Sequence, residues 1–364
     1  MNQRSWMCAL CFSLVSALAQ QNGAAPQSGH PASVAPGSPN RQMTLDVVVT
    51  DRSGKPATGL LQRDFTLLDN KRPQNILSFR EVDGGAAAAD LPVEVILIVD
   101  EINTEFTNVT MERVEIEKFL RQNGGVLAQP TSVIFFSDKE ATGTSSSRDG
   151  NAVIQELSGK LSGLRTVGRA QSTYGNNERM QFSLNGLKRL SDYEAGTTGR
   201  KLVVWISPGW PFFTAGVDQE LATQKQKQAL FNSVVTLSDA MRRARITLYQ
   251  IDPLGTSDAG QARTSDYVQF LKPLKNAGQA ANGPLSLQVL ATQSGGRVLN
   301  SANDVAGEIA ACAAEANSFY TLTFEGLPGD GPNEYHALDI KMGRPGLTVR
   351  TRYGYYAQPA PRAQ

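Results

Sequence analysis

The sequence predicts an α/β protein: a doubly wound, mostly parallel sheet inserted between two β-rich flanks that form a small β-sandwich. Three observations predict it. Four near-continuous apolar runs, residues 93–99, 132–136, 201–206 and 246–251, alternate with helical segments, as parallel strands covered on both faces do. Strand-and-turn patterns lie on either side, over 43–82 and 317–357. Each flank has too few strands to be stable alone, so the economical arrangement pairs one with the other.

Along the chain, Arg4, an apolar stretch over 6–18 and Ala17-Leu18-Ala19 form a tripartite export signal over residues 1–19. The reading is export to the periplasm or beyond. The apolar stretch is too short to span a bilayer, and no later stretch is long enough. Cleavage after Ala19 removes Cys8 and Cys11 and leaves Cys312 alone, so the mature chain relies on its core rather than on an internal disulfide. Cys312 lies among alanines on a helix, as a buried structural cysteine does. Residues 20–42 carry Pro26, Pro31, Pro36 and Pro39 with no aromatic and read as a semi-extended linker, its His30 solvated.

In the first β segment, 43–82, Leu45, Val47 and Val49 alternate with Asp46, Val48 and Thr50 before a turn at 51–54. Residues 83–92 are a second short linker, and 93–316 the α/β domain. There Thr107 caps a helix ending near 123–125, and a helix over 217–245 sets Leu230, Val234, Leu237 and Met241 on one stripe. Arg242, Arg243 and Arg245 at its C-terminus complement the helix dipole. Helical segments at 177–190, 284–293 and 303–315 accompany a short strand at 297–299. The closing segment, 317–357, has strands at 319–324, 336–342 and 347–352, with Tyr353 and Tyr355 packed on one face of the last strand, Tyr356 beside them, and a tail over 358–364.

Composition excludes several function classes. Among 364 residues, 35 Lys and Arg balance 34 Asp and Glu, which argues against a nucleic-acid binder, since that needs a basic footprint for the phosphates. The 33 glycines and 18 prolines stay well under the roughly 25–30% of a disordered chain. No P-loop, dinucleotide fingerprint, zinc-protease helix or paired-cysteine motif survives in the mature chain.

In a doubly wound sheet, ligands sit beyond the C-terminal strand ends where the strand order reverses. The first such end reads Asp100-Glu101-Ile102-Asn103-Thr104. With LIVDEINT at 97–104, SPGW at 207–210, LATQSGGRVL at 290–299, VTDRSGKP at 49–56 and GLTVRTRYGYY at 346–356, the chain resembles the von Willebrand factor type A family. It looks most like the VWFA-related group first described from Acidobacteria, and the resemblance covers nearly all of the mature chain.

That resemblance implies a secreted, non-catalytic bacterial interaction protein of the cell envelope, meeting a protein or surface partner through strand-end loops around a metal-dependent site. A hard cation takes oxygen ligands and recruits an acidic partner through an open position. Carried across, Asp100 matches the family's aspartate and Thr104 its second hydroxyl, with Thr173 or Thr166 as the second-loop threonine. Ile102 stands where the first hydroxyl should be and Ser207 where a later aspartate should be, so the site is degenerate. Glu101 and Asn103 compensate at the rim, and Asp138 and Asp252 lie on the same edge. The implied cofactor is Mg²⁺ or another divalent cation, bound weakly; the other reading has Asp100 and Asn103 capping local backbone groups.

Trp205-Ile206-Ser207-Pro208-Gly209 resembles a nucleophile elbow, with Trp205 in place of the first glycine. A secreted hydrolase using Ser207 is therefore the alternative, but His336, the remaining histidine, falls in the β flank, away from Ser207. A purely structural envelope scaffold is the third reading. The binding set is Asp100, Glu101, Asn103, Thr104, Thr173 and Ser207.

Overall fold

The computed structural model describes residues 41–83, 92–138, 141–159, 173–210, 223–254, 266–281, 283–300 and 304–360. The export signal, almost all of the 20–42 linker with His30, Thr166 and most of the 83–92 linker lie outside the described residues.

The chain enters at Gln42–Thr50 (β1), followed by Phe65–Asp69 (β2), Arg72–Pro73 (β3) and Ile76–Asp83 (β4). In the α/β region, Val93–Asp100 (β5), Phe106–Leu120 (α1), Val126–Phe136 (β6), Ala141–Gly143 (β7), Ser147–Asp149 (β8) and Gly150–Gly159 (α2) come first. Thr173–Glu194 (α3), Arg200–Ile206 (β9), Gln224–Arg243 (α4), Ile246–Ile251 (β10), Leu287–Gln293 (α5), Val298–Leu299 (β11) and Val305–Ala314 (α6) complete it. Ser318–Glu325 (β12), Glu334–Met342 (β13), Thr348–Arg350 (β14) and Gly354–Ala357 (β15) close the chain.

The central sheet runs β11-β10-β9-β5-β6-β7, with β8 also paired to β6. Its long neighbours are parallel, and only β7 and β8, at the edge, run antiparallel. The order reverses between β5 and β9, where Ile98 pairs with Trp205 and Val99 with Ile206. One face (Val95, Leu97, Val99, Val204, Ile206) packs with Val109, Ile116 and Phe119 of α1 and Ile309 of α6. The other face (Ile96, Ile98, Val203, Trp205) packs with Leu187 of α3, Val234 and Leu237 of α4 and Leu290 of α5. Burial on both faces is why these strands carry no polar alternation.

The flanks share sheets. β1 pairs antiparallel with β12 and β14, and β12 with β4; β13 pairs with β2 and β15. The two four-stranded sheets enclose Leu45, Val47, Leu67, Leu322, Phe324 and Ile340 in a common core.

Helix boundaries differ from the sequence pattern in instructive ways. α1 starts at Phe106, with Glu105 rather than Thr107 at the N-cap. α4 starts after Thr223, whose hydroxyl and Gln226 form a capping box, so it is shorter than the 217–245 helix expected. Its buried stripe is Phe231, Val234, Leu237, Ala240 and Met241, with Leu230 only half-buried.

The closing strand is also corrected. The 347–352 strand shortens to β14, which pairs with β1, and a separate strand, β15, follows it and pairs with β13. Crossing from one sheet to the other turns Tyr353 outward (40% exposed), while Tyr355 is buried in the sandwich core. Tyr356 meets Phe231 of α4 edge-on at 5.8 Å. Gly354 permits the crossover, because a Cβ there would lie 2.3 Å from the His336 carbonyl oxygen.

Candidate functional site

Asp100 ends β5 at the switch point and is fully buried. Its Oδ1 accepts hydrogen bonds from the backbone N–H groups of Ile102 and Asn103, both at 3.1 Å. Asn103 Nδ2 donates to both carboxylate oxygens, at 3.1 and 2.8 Å. Trp205 Nε1 donates to Oδ2 at 3.0 Å. A carboxylate offers only acceptors, so the amide must present its NH₂ to it. The same Nδ2 donates to Ser183 Oγ on α3 (2.9 Å), whose hydroxyl in turn donates to the Arg179 carbonyl. Burial raises the Asp100 pKa, while the hydrogen bonds from Asn103, Trp205 and Ser207 pull it back.

Trp205 reaches Asp100 because parallel register sets it beside Ile98, two residues before the end of β5. Its ring is held edge-on by Phe136 at 5.6 Å and by Trp210 at 5.4 Å. The residue that departs from the nucleophile-elbow pattern is thus the donor that ties two strand ends together. The pattern drew attention to its missing glycine and gave no hint of the indole N–H.

Around this point, Glu101, Asn103, Thr104 and Ser207 are all brought together, and all are buried. They form the floor under the strand-end loops rather than an exposed contact surface. Ser207 N–H donates to the Ile251 carbonyl, its carbonyl accepts from Gln250 Nε2 at 2.6 Å, and its hydroxyl accepts from Gly209 N–H at 3.1 Å. Asp252, also buried, accepts from Leu254 N–H, while Asp138 is half-buried. Thr173 is the first residue of α3, and its side chain lies outside the described residues.

One member of the site escaped sequence reading. Glu112 of α1 is buried beneath the Asp100 loop, and both its carboxylate oxygens lack a hydrogen-bond partner. The Thr104 hydroxyl is near enough to draw its pKa down, though without hydrogen-bond geometry. Burial first, then the charges of Asp100, Asp252 and Glu101, raise the Glu112 pKa well above the ordinary value. The signal was available: Val109, Glu112, Ile116 and Phe119 fall at helical spacing on one buried stripe, with a carboxylate where an apolar residue belongs. Glu101 is pushed up to about 7, chiefly by burial, with Arg113 opposing and Asp100 and Asp138 adding to the rise.

The Asp100 carboxylate is not free to hold a divalent cation. Hard cations need free oxygen lone pairs, and the Asp100 oxygens face N–H donors from four groups. Ile102 is buried and apolar, and among the described residues no group of three or more His, Cys, Asp or Glu side chains is placed to hold a metal. Asn103, expected to lend an oxygen at the rim, lends its NH₂ to Asp100 instead.

The remaining singled-out residues lie elsewhere. His336 on β13 is buried in the sandwich, its Nδ1 2.9 Å from Asp69 Oδ1 and 3.1 Å from the Tyr355 hydroxyl. Cys312 on α6 is fully buried, and burial pushes its thiol pKa up, away from reactive thiolate chemistry. Among the described residues, no helix is long and apolar enough to cross a membrane.

No protein-family model matches the chain, and no curated protein matches it. Among solved structures, it is similar to the human COPII-coat protein Sec24c (TM-score 0.33, 9% identity, 74% of this chain and 44% of that one). It is similar to the pilus adhesin SpaC from Lactobacillus rhamnosus GG in its open conformation (TM-score 0.37, 10% identity, 81% and 48%). It is also similar to the SpRpn10 VWA domain (TM-score 0.28, 13% identity, 60% and 94%). The chain spans under half the length of Sec24c and SpaC.

Proposed function

We propose that this chain is a non-catalytic, exported interaction protein that binds a protein or surface partner over the loops at the C-terminal edge of its parallel sheet. The observation that best supports this is the Trp205–Asp100–Asn103–Ser183 chain of hydrogen bonds. It fixes the ends of β5 and β9 and the face of α3 as one unit, from which the loops at 101–105, 137–138, 207–210 and 252–254 depart. A rigid floor presenting loops suits recognition. Binding on this reading uses the loops' own side chains and no bridging cation.

The Ser207 hydrolase reading lacks geometric support. Its hydroxyl is buried and accepts from Gly209 N–H, and the His336 ring is committed to Asp69 and Tyr355 in the sandwich. Without a neighbouring base, serine is a weak nucleophile.

The test immobilises the full chain and measures retention of an array of bacterial surface polysaccharides and secreted proteins. Charge reversal at exposed Glu105 or half-buried Asp138 (Glu105→Arg, Asp138→Arg) is expected to weaken the strongest binder about tenfold, while Arg72→Glu on β3 leaves it unchanged. Weakening by Arg72→Glu alone, or turnover of any ester or peptide that Ser207→Ala abolishes, would overturn the reading.

A further inference from the structure

Where the α/β region meets the sandwich, one buried and one half-buried arginine each carry a buried N–H group with no hydrogen-bond partner. Arg352, between β14 and β15, is only 9% exposed, and its Nη1 has no hydrogen-bond partner. Arg245, between α4 and β10, has its Nε buried and equally unpartnered. Both side chains line one small cavity of about 20 Å³, together with Arg242, Asp46, Thr247 and Thr351. Arg245 turns into it from a left-handed backbone conformation (φ 53°), rare for a non-glycine residue.

The charges do not cancel. Asp46 is already bound by Arg245 and by the Thr321 hydroxyl at 3.4 Å. Asp239 is already shared by Arg242 and Arg243. Arg242, Arg245 and Arg352 thus face two carboxylates, both committed, which leaves the Arg352 charge in excess. The other polar neighbour, the Tyr335 phenol, has its pKa pushed up to about 12 by burial and stays neutral. Arg352 cannot escape by losing its proton: burial and Arg242 lower its pKa only to about 10. A buried cation without a counter-charge is unfavourable, and each orphaned N–H adds to that.

We propose that this cavity holds a small monovalent anion of the halide class, chloride under physiological conditions, gripped by Arg352 Nη1 and Arg245 Nε. The volume selects it. A site near 20 Å³ suits one water-sized solute, since about 10–15 Å³ holds one water, so a halide matches it more closely than sulfate or phosphate. Water would satisfy the two N–H groups but leave the charge. A halide does both, and it pins the β14–β15 segment of the sandwich to the end of α4.

The experiment compares thermal unfolding of the full chain in sodium chloride and in sodium gluconate, matched at about 0.1 M ionic strength so that general screening is equal. The expected result is a saturable rise of about 2 °C in chloride, absent in Arg352→Met, which keeps the volume and removes the charge. Crystals soaked in bromide test occupancy directly, should that variant fold poorly: an anomalous peak between Arg352 and Arg245 is expected. Equal melting in the two salts, an unchanged salt difference in Arg352→Met, or a bromide peak only at molar concentration (an adventitious ion only) would each overturn the proposal.

Discussion

The Trp205 indole N–H donates to Asp100 Oδ2 at 3.0 Å, joining the ends of the two strands between which the sheet reverses its order. Both side chains are buried, so this bond is shielded from water and its loss is not made good by solvent. Trp205→Phe keeps an aromatic ring against Phe136 and Trp210 but removes the donor. Urea unfolding should show a loss of about 1–3 kcal/mol. A change under about 0.5 kcal/mol, the usual range for surface substitutions, would mean that the bond does not hold the switch point.

Stability should depend on pH through Glu101. Its carboxyl, pushed up to about 7 from 4.5 chiefly by burial, holds its proton more tightly in the folded chain than in the unfolded one. The stability this provides is complete below pH about 4.5 and is lost as pH rises through about 7, a total near 3 kcal/mol. Glu112 acts in the same direction. Glu101→Gln should therefore gain on wild type as pH rises from 5 to 8 in denaturant titrations. A constant difference between the two chains across that range would contradict the assignment.

Gly186, inside α3, offers a test of packing against propensity. Alanine there should favour the helix by roughly 1 kcal/mol, yet its Cβ would stand 2.3 Å from the Phe136 ring. Phe136 also packs against Trp205, so the displaced ring has little freedom to move aside. Overpacking of this kind costs about 1–3 kcal/mol, and Gly186→Ala is expected to melt below wild type. A higher melting temperature would show that the ring yields without penalty.

The strands at 93–99, 201–206 and 246–251 were legible because burial on two faces leaves an unbroken apolar run, a signal carried by each segment alone. The switch-point position of Asp100 and Ser207 followed from strand order. What fills the Asp100 oxygens did not, since Trp205 lies more than a hundred residues away and reaches it only through the register that sets Ile98 beside Trp205. Glu112 was visible as a charged interruption of an apolar stripe. The split between β14 and β15 was hidden because Tyr353 and Tyr355 fit a continuous alternation equally well; the crowding at Gly354 that accompanies the crossover is a tertiary contact. Arg352 was equally opaque, being one arginine among several until its lack of a partner is seen in space.

The most direct measurement follows the Trp205 indole N–H by NMR in a full chain labelled with ¹⁵N-tryptophan, its peak assigned with Trp205→Phe, during titration with Mn²⁺. With Asp100 saturated by N–H donors, the indole signal should stay sharp and exchange slowly with solvent at millimolar Mn²⁺. Paramagnetic broadening of that one signal at submillimolar Mn²⁺, abolished by Asp100→Asn, would show that a cation takes the carboxylate and that the floor is not closed by the protein's own donors.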